Sequence, residues 1–138
     1  MQQPLPIWVG GNSRRALRRT VEFGEVWHPA RAPFEFVADM AQRLTRIAER
    51  AGRDPQEIGV APRQPMKIGS DPALRNPDTP LLGTAQEVID NVGKFRDIGA
   101  EYLVLDTFSV PALYNETADD CLETVERFAA EVMPHFKD

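Results

Sequence analysis

The chain has 138 residues, of which 42% are hydrophobic and 27% charged, and its formal net charge is −5. This length and composition suffice for one hydrophobic core, so we expect a single domain over residues 1–138. The acidic balance disfavours nucleic acid and anionic membrane surfaces as partners, because a negative field repels both.

Redox and targeting features predict a cytoplasmic protein. The one cysteine, Cys121, cannot form an internal disulfide and suits a reducing compartment, and we expect it to pack in the core. Residues 1–8 have neither a basic flank nor a long apolar run, which predicts no signal peptide. No stretch approaches the roughly 18–20 apolar residues that a membrane span needs.

The first part of the chain alternates β-rich runs with helical periodicity. Residues 6–9 predict a strand, Gly10-Gly11 a tight turn, and Asn12 or Ser13 a helix cap. This helix is expected to end at Gly24, before a second strand over residues 25–28. Its predicted buried positions are Ala16, Leu17, Thr20, Val21 and Phe23.

The middle of the chain predicts the longest helix and the least regular strand. Pro33 fits the first turn of that helix and Gly52 its end. Its apolar stripe is Val37, Met40, Ala41, Leu44, Ile47, Ala48 and Ala51. A third strand region over residues 58–68 contains Pro62 and Pro65. Because proline cannot donate to a ladder, we expect that strand to be short, bulged or at an edge.

The last part predicts a loop and then one further strand between two helices. Residues 70–82 are rich in proline and predict a long loop. Thr84 and Glu87 form a capping box for a helix that Gly99 ends, and residues 102–105 predict a strand that is apolar on both faces. The stripe of the final helix is Ala118, Leu122, Val125, Ala129, Val132 and Met133.

The order β-α-β-α-β-α-β-α predicts an α/β protein whose parallel strands are joined by right-handed crossovers. A complete (βα)8 barrel takes about 250 residues, so four units in this chain are close to half of one. The alternative is a four-stranded doubly wound sheet. Length alone does not choose between them.

Four blocks of the sequence resemble the luciferase-like monooxygenase superfamily, in the family's order. The first is Pro-Ile-Trp-Val-Gly-Gly-Asn-Ser at residues 6–13, followed by Ala-Leu-Arg-Arg at residues 16–19. Residues 25–29 resemble a family strand, and residues 51–55 the turn after its long helix. Residues 82–105 resemble the family's final helix–strand pair.

The resemblance covers nearly the whole chain but only the C-terminal half of the family's barrel. It implies four βα units equivalent to the C-terminal half of a (βα)8 TIM barrel, with parallel strands and outer helices. The N-terminal half, which in the family supplies polar positions near the flavin and much of the substrate pocket, has no counterpart. Since a half-barrel leaves two open strand edges, we expect a homodimer or a separate N-terminal half-barrel as partner.

The turn after the first strand is the strongest candidate site. Its glycines let the backbone approach an anion, and the first N–H groups of the next helix point at it. In the resembling family this turn lies beside the cofactor, which makes Val9, Gly10, Gly11, Asn12, Ser13 and Arg14 cofactor-binding candidates. The alternative is a Gly-Gly turn required only for its dihedral angles. The arginines at positions 14, 15, 18 and 19 either extend this anion site or form a solvated helix face.

Trp27 and His28 complete the candidate site, because (βα)8 enzymes place their sites at the C-terminal ends of strands. Trp27 either walls a planar ring or is ordinary core. His28 either donates to a phosphate or transfers a proton, or it is simply a polar strand end. Asp106 and Thr107 end the last strand on the same side of the sheet. No residue spacing predicts a metal site.

The resemblance implies a luciferase-like oxidoreductase of the monooxygenase type that binds F420 or FMN and a small-molecule substrate. F420 is slightly preferred, on the block from Trp8 to Ser13. The cofactor would carry the hydride chemistry, and the protein would orient it and bind its phosphate. The alternative is a non-catalytic half-barrel that oligomerises. Glu25 and Val26 favour it, because the family usually has aspartate and glycine there.

Overall fold

The computed structural model describes residues 5–107 and 117–137, in which helices alternate with parallel strands. The predicted α/β order is confirmed. The strands are β1 (Trp8–Gly10), β2 (Val26–His28), β3 (Gly59–Val60), β4 (Arg63–Ile68), β5 (Leu81–Gly83) and β6 (Val104–Asp106). The helices are α1 (Arg14–Phe23), α2 (Phe34–Arg50), α3 (Ala85–Asp97) and α4 (Ala118–Arg127).

The structure has two three-stranded parallel sheets, in the orders β1-β2-β3 and β5-β4-β6, and the third predicted strand contributes to both. Its first part, β3, has two residues and lies at the end of the first sheet, so the expectation of a short or edge strand is confirmed there, whereas its second part, β4, is central in the second sheet. β3 pairs with β2, and β4 pairs with β5 and β6. Pairing continues through the break, since Ala61 N–H donates to the Trp27 carbonyl at 2.9 Å. On the other side the Pro62 carbonyl accepts from Val104 N–H at 2.9 Å. The missing N–H of Pro62 therefore costs one ladder hydrogen bond without ending the pairing.

The predicted loop over residues 70–82 is shorter than expected, because its end belongs to β5. Leu81–Gly83 pairs in parallel with Met66, Lys67 and Ile68. The three residues of β5 are all buried, which explains why a short apolar run next to prolines forms a strand. Sequence alone did not separate it from the loop.

The hydrophobic core lies between the sheet and the helices. Its largest fully buried side chains include Trp27, Phe95, Leu17, Met66 and Leu81. The long helix buries Val37, Met40, Leu44 and Ala48, four positions of its predicted stripe. At about 25 cal/mol per Å² of apolar surface, this face supplies the main favourable term for folding.

The opposite face of the sheet has no layer of helices among the described residues. Trp8 is 40% exposed there and Tyr102 is 54% exposed, and their rings lie 5.4 Å apart between centroids. The last strand starts two residues later than predicted, at Val104, and it is only half-buried. The expectation of apolar burial on both of its faces was wrong, because only one face is covered.

The apolar stripe predicted for the last helix was wrong for most of its members, although Val132 is fully buried as expected. Leu122 is 56% exposed, and Val125 and Met133 are exposed as well. The buried side of α4 consists instead of Cys121 and Thr124. The chain then widens into a π-helical turn at Phe128–Val132, which changes the angular position of every later residue. The expected burial of Cys121 is confirmed.

The helix ends follow the predicted signals. Ser13 caps α1 by accepting Ala16 N–H at 3.2 Å. Gly52 and Gly99 adopt positive φ angles of 72° and 82° just beyond α2 and α3, a backbone region that favours glycine. Within residues 5–107 and 117–137, no helix has the length and apolarity needed to cross a bilayer.

The capping box of α3 gives the first testable prediction. The Arg75 guanidinium, together with the N–H and hydroxyl of Thr84, lowers the pKa of Glu87 from 4.5 to about 2. A carboxylate with a lowered folded-state pKa stabilises the protein above pH 4.5, and this contribution disappears as the pH falls towards 2. We expect Glu87→Gln to lower the urea midpoint at neutral pH and to flatten its dependence on pH between 4.5 and 2.

The matched control for this prediction is Glu49→Gln, which removes the same charge from an exposed position of α2. Urea unfolding followed by circular dichroism at several pH values provides the measurement. Parallel pH profiles for the wild type and Glu87→Gln would contradict the role assigned to Glu87.

Candidate functional site

The turn between β1 and α1 has a backbone that only glycine accommodates well at its centre. Gly11 has a φ of 128°, and a Cβ atom there would lie 3.2 Å from the Cβ of Ala16. Ser13 then starts the helix as its cap. The sequence folds locally in this way because a flexible residue stands between a strand end and a capping residue.

Two side chains fix this turn to the segment that follows β2. Asn12 donates from Nδ2 to the Ala30 carbonyl at 2.8 Å, and its Oδ1 accepts Ala30 N–H at 3.0 Å. The indole N–H of Trp27 donates to the Gly11 carbonyl at 2.9 Å. The turn is thus held by three hydrogen bonds that no regular ladder supplies.

The other predicted residues of the turn divide into two groups. Val9 points towards α1, since its Cγ2 lies 2.7 Å from the place of a Cβ at Gly24. The Cβ position of Gly10 faces the other way, and a Cβ atom built there would lie near only the His28 carbonyl, at 4.0 Å. Gly10 and Arg14 are both exposed. The space beside Gly10 is therefore open at the end of β1.

Trp27 and His28 lie on opposite faces of β2. Trp27 is fully buried against the helices, so it supports the turn from behind. The Nδ1 atom of His28 lies 2.6 Å from the Ala61 carbonyl. Because a carbonyl oxygen only accepts, Nδ1 carries the proton and Nε2 of the neutral ring is an acceptor. The half-buried His28 ring lies beside Trp8, with 5.6 Å between the ring centroids.

A charged cluster next to these residues was not predicted from the sequence, except for the strand-end position of Asp106. Its carboxylate is 6% exposed and lies 2.6 Å from the Arg63 guanidinium and 4.0 Å from that of Arg31. Asp106 ends β6, and Arg63 begins β4, so only the strand register brings them together. A sequence pattern carries no signal for such a pair.

Arg31 links this cluster to the turn. It follows Ala30, which Asn12 holds, and its N–H donates to the Arg63 carbonyl at 2.9 Å. Its φ angle is 51°, a left-handed conformation that costs free energy for a residue with a side chain. The Arg31 and Arg63 guanidinium groups thus both lie beside the Asp106 carboxylate at this end of the strands.

The described residues contain no group of three histidine, cysteine, aspartate or glutamate side chains arranged to hold a metal ion. The groups that this arrangement does bring together are the backbone of the turn, two guanidinium groups and one imidazole held by its hydrogen bond to Ala61. His135, Asp106 and Thr107 do not join the turn, although Asp106 reaches Arg31 beside it.

The family model of the luciferase-like monooxygenases matches residues 1–78 of this sequence, which is more than half of the chain. The chain belongs to the luciferase-like monooxygenase family. The matched range of this luciferase-like chain includes β1, the clamped turn, α1 and the strand that carries Trp27 and His28. A comparison with curated protein sequences gives no match.

Solved structures with low sequence identity share the fold. The F420-dependent tetrahydromethanopterin reductase from Methanopyrus kandleri aligns with a TM-score of 0.70 at 16% identity, over 96% of this chain and 51% of its own. An F420-dependent secondary alcohol dehydrogenase aligns with a TM-score of 0.70 at 15% identity, over 99% and 50%. A riboflavin lyase with modified FMN aligns with a TM-score of 0.64 at 14% identity, over 92% and 41%.

In these alignments the chain matches part of a longer protein. The luciferase-like chain spans about half the length of the solved structures that it matches. Its parallel strands with outer helices match these structures and agree with the predicted βα units of a (βα)8 barrel rather than with the alternative of a small doubly wound sheet.

The clamp on the turn gives a second testable prediction. We expect Asn12→Ala to lower the free energy of unfolding by about 1 kcal/mol. The change removes both hydrogen bonds between the Asn12 side chain and the backbone of Ala30, and alanine cannot replace them. Urea unfolding measures this loss, and faster amide exchange at Ala30 locates it. The control Gln42→Ala changes an exposed amide on α2 and should stay within about 0.5 kcal/mol of wild type. Equal effects of the two changes would contradict the clamp.

Proposed function

We propose that this chain is the cofactor-binding half of a flavin-type oxidoreductase of the luciferase-like family. The observation that carries the proposal is the coincidence of the family match with the clamped turn. Residues 9–14 and His28 lie within the matched range and at the C-terminal ends of two adjacent parallel strands. That end of the strands is where (βα)8 enzymes hold their ligands.

The residues present fit a cofactor that carries a phosphate. The first N–H groups of α1 face the turn, and the open space beside Gly10 admits a ligand close to the backbone. Arg31, half-exposed and strained, supplies positive charge on the adjacent loop. We infer that these groups bind the phosphate and that the Nε2 atom of His28 accepts a hydrogen bond from the cofactor or the substrate.

The cofactor of the proposed site is F420 or FMN. Two of the similar structures are described as F420-dependent and one contains a modified FMN. F420 remains slightly preferred, on the block from Trp8 to Ser13. The bound cofactor would supply hydride transfer to or from a small organic substrate. The residues of this chain would bind and orient it, and no catalytic residue is assigned.

The proposed partner is a second half-barrel that covers the open face of the sheet. Trp8 and Tyr102 are exposed on that face, and β1 pairs only with β2 among the described strands. An uncovered parallel sheet is unfavourable, because such sheets are normally buried on both faces. We infer that either a second copy of the chain or a separate N-terminal half-barrel provides the cover.

The exposed apolar side chains also favour a second candidate function, a non-catalytic half-barrel that oligomerises and binds no cofactor. Leu122 and Val125 on α4 add to the apolar surface that a partner would bury. This candidate and the oxidoreductase differ in one measurable property. An absorbance spectrum and the solution mass of the same purified sample distinguish a coloured assembly from a colourless one.

Cofactor titration tests the proposed site. We expect His28→Ala to weaken FMN or F420 binding about tenfold, since it removes one hydrogen-bonding group, worth about 1–1.5 kcal/mol, from the ligand. Fluorescence titration of the wild type and the variant gives the two dissociation constants. His135→Ala removes the same side chain type from the C-terminal tail and should leave the affinity unchanged. Equal affinities in all three proteins would exclude His28 from the site.

Light scattering tests the proposed cover. We expect the wild-type chain to form a dimer when expressed alone, and Trp8→Asp to convert it to a monomer, because a charge would then stand on the buried face. Phe23→Asp is the control, since Phe23 is an aromatic residue that is 60% exposed, against 40% for Trp8, and it lies at the end of α1 rather than on the open face. A monomeric wild type would exclude the homodimer and leave the separate N-terminal half as the partner.

A further inference from the structure

We propose that the groove between α1 and α2 is a second anion site, which binds a small molecule carrying several phosphate groups. The groove shares Arg14 with the site assigned to the flavin-type cofactor, but its other residues lie on the outer surface of the two helices, so the inference goes beyond the proposed function. The observation behind it is a group of arginines on the outer surface of the molecule, where two helices pack side by side.

The groove has a volume of about 380 Å³, and arginine forms nearly all of its wall. Small-molecule sites typically measure about 300–1,000 Å³, so the size suits a compact ligand. The lining residues are Arg14 and Arg18 from α1 with Arg43, Arg46, Ile47 and Arg50 from α2. Five of the sixteen lysine and arginine residues of an acidic chain therefore converge on one surface groove.

Most of these charges have no carboxylate partner. Arg43 pairs with Asp39 at 2.6 Å, one turn earlier on α2. None of the other four guanidinium groups makes an ion pair among the residues that the structure describes. A solvated helix face with local ion pairs, which is the alternative for the α1 arginines, would show carboxylates in between, and in this groove only Asp39 stands beside them.

The arrangement is electrostatically unfavourable without a ligand. Arg14 and Arg18 are four residues apart on one helix, as are Arg46 and Arg50 on the other, and like charges at this spacing repel. Arg14 also stands in the first turn of α1, which contains no acidic residue to balance the positive end of the helix. A bound anion would relieve both costs at once.

The length of the arginine row indicates more than one phosphate group. Arg43 and Arg50 are seven residues apart, which is about 10 Å along the axis of α2. A single phosphate cannot contact both ends of this row, whereas guanidinium groups bind successive phosphates well through paired N–H donors. A nucleic acid duplex fits less well, because it would extend beyond the groove over a chain with a net charge of −5.

Calorimetric titration with inorganic tripolyphosphate at constant ionic strength tests the proposal. We expect the wild-type chain to bind, and the double variant Arg18→Gln/Arg46→Gln to bind at least tenfold more weakly. The control is Arg15→Gln/Arg19→Gln, which removes the same charge from α1 positions outside the groove and should keep wild-type affinity. Arg14 stays unchanged in every variant, so FMN binding at the neighbouring turn reports separately on the proposed function.

Three results would overturn the proposal: no binding by the wild type, an equal loss in both double variants, or tighter binding of a short DNA duplex than of tripolyphosphate. Thermal unfolding provides a second readout. Without ligand at low salt, the groove variant should have a higher Tm than the wild type, and tripolyphosphate should raise only the Tm of the wild type and the control. If circular dichroism shows that the groove variant is unfolded, the single changes Arg18→Gln and Arg46→Gln replace it, each with an expected loss of about threefold.

Discussion

A parallel sheet is normally covered on both faces, and residues 5–107 and 117–137 supply helices for only one of them. The large core side chains Trp27, Phe95 and Met66 all lie on the helical side. On the other side Trp8 and Tyr102 lie against each other but remain half-exposed. This asymmetry connects the fold to the function, because the open face is also the face on which His28 lies. Whatever covers the sheet would enclose the candidate site as well.

The candidate site is built from backbone held by side chains rather than from a set of reactive groups. Both polar atoms of the Asn12 amide form hydrogen bonds with the backbone of Ala30, and the Trp27 indole N–H donates to the Gly11 carbonyl. Such hydrogen bonds reduce the entropy cost of binding, because the turn is already ordered before a ligand arrives.

Glu25, which departs from the family pattern, also holds the backbone by a hydrogen bond. Glu25 accepts the N–H of Ile7 at 2.5 Å, beside the edge strand. That contact weakens the argument that Glu25 marks a remnant.

The helices were predictable because their ends carry local chemistry. Ser13, Thr84 and Gly99 act on neighbours within a few residues, so the sequence contains the whole signal. The strands were harder, since β5 depends on pairing with a segment 15 residues away. The pattern on α4 failed for a different reason. Leu122 and Val125 have helical spacing, but no surface in the described part of the chain buries them, and periodicity does not indicate whether a partner exists.

The candidate site also has a part that the sequence predicts and a part that only the tertiary structure reveals. The glycines and Asn12 stand together in the sequence, so the turn could be recognised as a unit. The pair of Arg63 and Asp106 joins residues 43 positions apart and follows only from the strand register. Arg31 could not be predicted either, because its positive φ angle results from hydrogen bonds on both sides of it. Contacts that depend on tertiary structure are the part of a site that a single sequence does not contain.

Net charge describes the whole chain, whereas a ligand responds to the charges within a Debye length, about 8 Å at physiological ionic strength. An anion in the groove between α1 and α2 is surrounded by five guanidinium groups, and most of the acidic side chains that make the chain negative lie elsewhere. The composition therefore argues against long polyanions, which must pass over the acidic surface, and it says little about small ones. An acidic protein can thus offer a local positive site to a ligand that is no larger than the site.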